Sequence, residues 1–212
     1  MICIIKTVKR HRRLFFGRWV VRVSKQKAGE HRDAILAAAS RLFRARGFDK
    51  VGVAEVTQAA GLTHGGFYGH FASKEALAAE VCDLSFGNAV RRVQASASLG
   101  DYIDYYVSAE HRDREGPCPM VALGTDVSRL SGPVRAHFSE GVARYVAAIR
   151  AHMPGDDPMA EGKASALVSI LVGGLSLARA VAATDPALSE NILAGVREQA
   201  RAVVRSVGRA GP

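Results

Sequence analysis

Four side chains between residues 64 and 74 carry functional groups that proteins use to contact nucleic acid. They are His64, Tyr68, His70 and Lys74. A tyrosine hydroxyl and a lysine ammonium suit phosphate oxygens, and an imidazole can donate to or accept from the edge of a base. Each of them alone is more often a solvated surface group. Their clustering on and beside one short predicted helix favours contact with DNA.

The elements that must position these groups are indicated by the residues around them. Apolar residues fall at helical spacing from Val53 to Ala60 and stop at Gly61, which reaches the left-handed conformation that a tight turn needs. Thr63 is a favourable N-cap for a second helix, and Phe67 and Phe71 give that helix one apolar side. The pattern predicts a helix-turn-helix.

The second of these helices is rich in glycine. Residues 65, 66 and 69 are all glycine, and each costs about 1 kcal/mol in a helix interior relative to alanine. The segment is therefore poor as a helix for its own sake. It makes sense where the backbone must come close to something else.

These residues resemble the N-terminal domain of the TetR/AcrR family of bacterial transcriptional regulators. The resemblance is carried over about 50 residues by Gly47-Phe48, the run Val53 to Ala60, Gly61-Leu62-Thr63, Tyr68-x-His70-Phe71 and Ser73-Lys74-Glu75-x-Leu77. The chain departs from the family at Val51 and Gly52, where Thr or Ser is usual. The first helix of the helix-turn-helix therefore lacks the hydroxyl that would cap it and bind a phosphate. Gly52 can cap this helix only through its backbone.

The resemblance implies a DNA-binding role for the matching positions. The expected set is Gly52, Ala54, Thr63, His64, Gly65, Gly66, Tyr68, His70 and Lys74. Thr63, Tyr68 and Lys74 are expected on phosphates. The two histidines and Gly65 are expected in the major groove, and Ala54 near the bases. Because few of these side chains are long, we expect sparse base contacts that are supplemented by shape and methyl contacts.

The composition is that of an ordinary globular protein. The chain has 212 residues, 48% hydrophobic and 23% charged, which allows one or two domains with a sizeable core. Cys3, Cys82 and Cys118 form no CxxC pair, which argues against zinc and fits a reducing cytoplasm. The longest uncharged apolar stretch, residues 164–178, has 15 residues, fewer than the ~20 of a membrane span. We expect no metal, no cofactor, no membrane partner and a cytoplasmic location.

The positive charge is concentrated at the N-terminus. The formal net charge is +9; residues 1–27 hold nine Lys or Arg and no acid, and the remaining 20 basic residues match 20 acidic ones. Residues 1–26 form a basic leader with two open interpretations. The leader follows DNA phosphates or enters a minor groove, or the part before Val21 is not native, because Val21 to Lys25 looks like a natural beginning.

Glycine and proline divide the rest of the chain into helices. All seven prolines follow residue 116 and nothing alternates with period two, so the sequence predicts an all-α protein. Beyond the helix-turn-helix, the predicted helices cover about 27–46, 73–96, 101–110, 119–130, 133–153, 158–183 and 186–207, and prolines open four of the last five. Residues 27–75 are expected to form the DNA-binding domain, joined by the long helix to an effector-binding and dimerisation domain over 76–212.

The last two predicted helices have broad apolar sides. In the family the corresponding helices pack against their copies as a four-helix dimer interface, and Gly173-Gly174 would let backbones approach closely. The expected interface residues are Leu167, Ile170, Leu171, Gly174, Leu175, Ala178, Ile192, Val196 and Val203. The alternative is that both helices are simply the core of one chain.

An effector pocket is expected in the second half. Its candidate lining residues combine apolar bodies with a few polar tips: Tyr102, Tyr105, Tyr106, Cys118, Met120, His137, Phe138 and Tyr145. Ordinary core packing accounts for each of them at least as well. No ligand follows from the sequence.

Cys118 stands between two prolines at a predicted helix start. The helix N-terminus and nearby arginines favour a thiolate, which would respond to electrophiles or oxidants. The segment GPCPMVALG also resembles NemR-like members of the family, some of which sense electrophiles through a cysteine. Asp113 and Glu115 oppose a thiolate, and an inert buried cysteine is the commoner outcome. Cys82 is assigned to packing.

The leading hypothesis is a non-enzymatic, ligand-responsive repressor. It would bind a palindromic duplex operator as a homodimer and be released by a small molecule or an electrophile. Two other classes stay open. A cysteine-dependent enzyme would use Cys118 with His111 or His137 as base, although no third, orienting group is evident. An architectural DNA-binding protein would leave half of the chain without a purpose.

Overall fold

The computed structural model describes residues 25–114, 118–130, 132–154 and 156–206, apart from the side chain of His64. Within these ranges the regular structure consists of helices. No strand occurs within those ranges, and the all-α prediction is confirmed. The predictions about the basic leader before residue 25 and about the end of the last helix at 207 lie outside the described residues. The helices are α1 Lys25–Arg46, α2 Val53–Ala59, α3 His64–Phe67, α4 Lys74–Ala95, α5 Leu99–Tyr106, α6 Ala109–Asp113, α7 Pro119–Arg129, α8 Pro133–Arg150, α9 Ala160–Val181 and α10 Pro186–Arg205.

Two predicted helix boundaries were wrong, each because a side chain caps the backbone at another place. The helix expected over 101–110 is broken into α5 and α6, because the Ser108 hydroxyl accepts from the His111 N–H (3.0 Å) and starts a new helix. Pro158 does not open α9. Asp157 Oδ1 accepts from the Met159 N–H (2.8 Å), and this turn places the proline before the helix.

Helix α4 connects the two halves of the molecule. It packs against α1 near the predicted helix-turn-helix and against α8 in the second half. Leu77, Val81, Phe86 and Val93 form its fully buried side. At Gly141 of α8 the two helices come so close that an added Cβ would lie 2.2 Å from the Phe86 ring. Glycine is therefore required there for the helices to pack.

Helices α9 and α10 form an antiparallel pair within the single chain. The Ser189 hydroxyl donates to the Ala178 carbonyl oxygen (2.8 Å) in the buried contact between them. A Cβ on Gly174 would lie 2.2 Å from Val196 Cγ2. Gly174 is therefore needed for contact inside the chain.

This packing corrects the expected dimer interface. Five of its residues are buried inside the one chain and so have no surface to offer to a partner: Leu167, Leu171, Gly174, Leu175 and Ala178. The other four are half-buried and pack against the same core: Ile170, Ile192, Val196 and Val203. The burial of these five residues agrees with the alternative that the two helices form the core of one chain.

The outward face of α9 consists mostly of small residues and is uncharged. It exposes Ala166, Ser169, Gly173, Ser176 and Ala180, with Leu177 60% exposed. Over 18 residues the mean hydropathy of the helix is 1.8 and only 39% of that window is buried. By length and composition alone α9 could cross a membrane, a test that core helices of soluble proteins also pass. The uncharged stretch of 15 residues found in the sequence is shorter than α9, because the charged residues that bound this stretch lie inside the helix, near its ends.

Candidate DNA interface and neighbouring cavity

Backbone hydrogen bonds fix the turn between α2 and α3. Gly61 has φ +72°, its N–H donates to the Gln58 carbonyl (3.0 Å), and the Leu62 N–H donates to the Thr57 carbonyl (2.9 Å). These two bonds form a Schellman motif, in which glycine takes the left-handed position without strain. The predicted role of Gly61 is confirmed.

Aromatic side chains anchor the inner side of α3. Phe67 and Phe71 are 0% and 3% exposed, with ring centroids 5.7 Å apart. The Arg32 guanidinium of α1 lies 4.8 Å from the Phe71 ring centroid and pairs with Glu80 of α4 at 2.5 Å. The short helix is thus held between α1 and α4, although four residues have little stability as an isolated helix.

The outer side of this region is open. A Cβ added to Gly52 or Gly65 would meet nothing within 4 Å, and Tyr68 is 61% exposed. Thr63 is the N-cap residue of α3 and is exposed, but its side chain makes no capping hydrogen bond. Gly52 likewise caps α2 without a side chain, as expected. A phosphate backbone can therefore approach the first turns of both helices.

Several of the expected DNA-binding side chains contact other side chains of the chain, and the Tyr68 ring meets that of Phe67 edge-on with centroids 5.2 Å apart. The Lys74 ammonium lies 4.1 Å from the Phe48 ring centroid, and the half-buried His70 ring meets that of His31 edge-on at 6.3 Å. Of the remaining positions, Ala54 is exposed and Gly66 is half-buried. The His64 side chain lies outside the described residues.

A contact between this region and α7 could not be found from the sequence. The Asp126 carboxylate accepts from the Phe48 N–H at 2.8 Å, immediately after Gly47 with its φ of +86°. The two residues are 78 positions apart, and an isolated aspartate on a helix ordinarily indicates a solvated side chain. This bond ties the start of the helix-turn-helix to the second half.

A cavity of about 640 Å³ lies where α1 and α4 meet α5, α6 and the start of α7. Its lining is rich in arginine, tyrosine and small polar groups: Arg44, Ser85, Asn88, Ala89, Arg91, Arg92, Ala95, Ser96, Tyr102, Tyr105, Tyr106, His111, Arg114, Cys118 and Pro119. Sequence reasoning missed the arginines, because an arginine on a helix is normally taken for a surface charge.

The expected effector residues divide into two groups. Tyr102, Tyr105, Tyr106 and Cys118 line the cavity, and Tyr145 lies behind them, where its hydroxyl is hydrogen-bonded to that of Tyr102. The other three do not line the cavity: Met120 is core, His137 Nδ1 lies 2.6 Å from Asp83, and Phe138 packs on Phe86 at 5.2 Å. Met120, His137 and Phe138 do not belong to this cavity because they lie on sides of α7 and α8 that pack elsewhere.

The environment of Cys118 disfavours a thiolate. Cys118 is the N-cap residue of α7, as expected, but it is only 7% exposed. Burial raises the pKa of its thiol and outweighs the nearby Tyr106 hydroxyl, the backbone amides of Met120 and Val121 and the charge of Arg44, which all lower it. Burial also lowers the pKa of His111, whose Nδ1 lies 2.7 Å from the Tyr106 carbonyl oxygen. A reactive cysteine, as sensor or as nucleophile, is not favoured.

Comparison with known proteins identifies the N-terminal segment. Residues 35–81 match the family described as bacterial regulatory proteins, tetR family. The HTH-type transcriptional regulator AcrR of Shigella flexneri is 41% identical over 69 residues, which cover 32% of each protein. TtgR of Pseudomonas putida is 38% identical over 64 residues, or 30% of each protein. These alignments span about a third of the length of the curated relatives.

The whole fold has solved counterparts. The reduced form of E. coli NemR has a TM-score of 0.67 at 19% identity and covers 85% of this chain and 100% of its own. A TetR transcriptional regulator from Chloroflexus aurantiacus has a TM-score of 0.71 at 19% identity and covers 86% of this chain and 98% of its own. At such identities the likeness shows a shared fold.

The exposed groups around α3 generate a prediction for DNA binding. Tyr68→Phe should weaken binding about 3- to 10-fold on every sequence, through one lost phosphate hydrogen bond, with no change in salt dependence. Lys74→Gln should weaken binding and lower the slope of log K against log salt by about 1, because it removes a phosphate-neutralising charge. Fluorescence anisotropy at several salt concentrations measures both.

Lys74 also lies over Phe48, so thermal unfolding of each variant must accompany these titrations. A lysine variant that changes sequence preference and leaves the salt slope untouched would show that its role has been misassigned.

The burial of Cys118 predicts slow alkylation. Its raised pKa keeps the thiol protonated at pH values where free cysteine, with a pKa of about 8.5, already ionises. In a Cys3→Ser background, iodoacetamide at pH 7.5 should label Cys118 far more slowly in the native protein than in urea. Peptide mass spectrometry separates it from Cys82, whose pKa is raised to about 11. Half-maximal labelling of native Cys118 below pH 7 would restore the sensor hypothesis.

Proposed function

The chain carries the DNA-binding domain of the bacterial tetR family, and from this premise we propose that it is a ligand-responsive transcriptional repressor that binds operator DNA as a homodimer in the cytoplasm. The observation that supports DNA reading best is the asymmetry of α3. Phe67 and Phe71 hold its inner side in the core, while a Cβ at Gly65 would meet nothing within 4 Å and Tyr68 is 61% exposed. That asymmetry suits a recognition helix whose backbone comes close to the duplex.

The outward face of α9 supports a homodimer. An uncharged face of alanine, glycine, serine and leucine along a 22-residue helix is a large surface of low polarity to leave in water. A second copy of α9, with α10 beside it, would cover this face by two-fold symmetry, and the small residues around Gly173 allow close helix packing. The interface is then the side of α9 opposite to the one expected from the sequence. Two-fold symmetry would place two α3 helices about 34 Å apart, one turn of DNA.

In this proposal, helix α7 transmits the effect of ligand binding from the cavity to the DNA-binding domain. Cys118 and Pro119 at its start line the cavity, and Asp126 near its end holds the Phe48 N–H. A ligand that shifts the start of α7 therefore displaces a contact of the segment that leads into α2. The operator is released if the two α3 helices of the dimer lose their spacing of one DNA turn.

Selection from a random pool of duplex DNA tests the proposed function directly. Binding in about 0.15 M salt should enrich an inverted repeat whose half-sites are centred one helical turn apart. A variant with Gly65→Glu, which places a negative charge where the duplex would approach, serves as the comparison. Enrichment of no sequence by the native protein would favour an architectural binder. Enrichment of a single half-site would contradict the dimer.

The uncharged face of α9 generates a prediction for assembly. Gly173→Glu should give monomers and reduce operator affinity at least about 100-fold, because a buried charge opposes its own copy across the two-fold axis. Its side chain has open space in the single chain, so the fold should survive. Sedimentation velocity measures the state of association.

Two controls accompany this variant. Ala147→Glu introduces the same charge at an exposed position of α8 and should remain a dimer. Gly174→Leu, on the inner side of α9, should lower the free energy of unfolding instead, because it collides with Val196. If Gly173→Glu stays dimeric, the interface lies elsewhere.

The bond between Asp126 and Phe48 generates a second prediction. Asp126→Ala leaves the amide without its carboxylate acceptor and should cost about 1.5–3 kcal/mol of stability, with faster hydrogen exchange at Phe48 and weaker operator binding. Asp126→Asn keeps a neutral acceptor oxygen and should lose about half as much. Equal operator affinity of the native protein and the two Asp126 variants would show that α7 does not position the helix-turn-helix.

A further inference from the structure

The described residues that carry a full charge around the cavity next to α4 are all positive. Four of its lining residues carry a full charge, Arg44, Arg91, Arg92 and Arg114, and no Asp or Glu is among the described residues that line it. Its volume of about 640 Å³ falls in the range of ~300–1,000 Å³ that is typical of small-molecule sites. The space suits a small organic molecule better than a single inorganic ion.

Three of these arginines have only neutral partners in the described part of the chain. The Arg92 guanidinium lies 4.3 Å from the Tyr105 ring centroid, Arg114 donates to the Tyr105 hydroxyl at 3.3 Å, and Arg91 donates to Asn88. None of the three belongs to an ion pair among the described residues. Their charges are therefore available to a ligand.

Two buried hydroxyls of the lining also have no hydrogen-bond partner among the residues that the structure describes. They belong to Ser85 of α4 and Tyr106 of α5, which are 3% and 1% exposed. The Cys118 thiol is near enough to Tyr106 to affect its pKa, but the geometry between them does not meet that of a hydrogen bond. A buried hydroxyl without a partner costs about 1–3 kcal/mol. Ligand oxygens in the cavity would give these hydroxyls acceptors.

The neighbouring titratable groups indicate a positive potential in the same place. The pKa of Arg44 is lowered by burial and by the charge of Arg114. The pKa of His111 is lowered by burial and, to a lesser extent, by Arg114, Arg179 and Arg92. Cations in this region thus oppose one another, and an anion would relieve that repulsion.

We propose that this cavity binds a small organic oxyanion, a carboxylate or a phosphate ester, and that this anion is the effector. Its charged oxygens lie among Arg44, Arg91, Arg92 and Arg114, and further oxygens accept from Ser85 and Tyr106. Guanidinium groups bind carboxylate and phosphate in the same fork geometry, so the two head groups share one chemistry. The part of the proposal that concerns regulation rests on the proposed function, whereas the binding chemistry does not.

Thermal unfolding without DNA tests the binding chemistry. At constant ionic strength, benzoate and phenyl phosphate at about 10 mM, suited to millimolar Kd values, should raise Tm by roughly 3 °C. Benzamide and benzylamine, the neutral and cationic counterparts of benzoate, should not raise it. Whichever of the two anions gives the larger shift identifies the head group. Equal shifts with benzoate and benzamide, or no shift with either anion, would overturn the proposal.

Variants locate the site. Arg92→Gln with Arg114→Gln should abolish the anion response and keep or raise the Tm without anion, because like charges are removed. Arg135→Gln, on an exposed part of α8, should respond as the native protein does. Tyr106→Phe should keep its unliganded Tm and bind the anion about 3- to 10-fold more weakly. Tyr102→Phe removes a bonded hydroxyl and should lower the unliganded Tm. An unchanged anion response in the arginine variant would place binding elsewhere.

The operator selected as described above tests the regulatory part. The anion with the larger Tm shift should release the native protein from that operator and leave the arginine variant bound. Binding of the anion without release would overturn its role as effector and leave the cavity chemistry intact. Failure of the native protein to select any operator would overturn the proposed function, while the Tm response would still report on the cavity.

Discussion

The burial of one side of α4 is the constraint on which the rest of the structure depends. The same 22-residue helix supplies Leu77 to the core beneath α1, Phe86 to the contact with α8, and Ser85 to the cavity wall. Because these residues lie on one rigid helix, the DNA-binding segment and the second half share one continuous core. A displacement of α4 relative to α8 is opposed by the Phe86 ring, which fills the space over Gly141. Any signal between the halves must therefore pass as a movement of whole helices.

Local features of the sequence were sufficient to predict the helix-turn-helix. The turn at Gly61, the anchors Phe67 and Phe71 and the cap at Ser73 act over five residues or fewer, so their spacing along the chain carries the information. Ser73 Oγ accepts from the Ala76 N–H at 3.1 Å, as a good N-cap should. The all-α class followed from the same kind of evidence, because helical periodicity and terminal prolines are local signals.

The candidate sites outside that segment depended on contacts that spacing does not encode. The bond from Asp126 to Phe48 spans 78 positions, and arginines from α1, α4 and the end of α6 meet in one cavity. The inner and outer sides of α9 are both apolar, so periodicity could not show which one its own chain covers. For Cys118, helix position and charge were visible in the sequence, but the burial that outweighs them was not. Such features need the packed structure.

Helix α6 joins the cavity to the paired helices at the end of the chain. His111 and Arg114 line the cavity, while Arg112 between them bonds to Ser189 (3.0 Å) and Glu190 (2.6 Å) of α10. Arg179 of α9 donates to the Arg112 carbonyl oxygen as well. If α9 and α10 meet their copies across a two-fold axis, occupancy of one cavity is transmitted to the other subunit through this short helix. The dose-response curve of the regulator would then be sigmoidal, with a Hill coefficient above one.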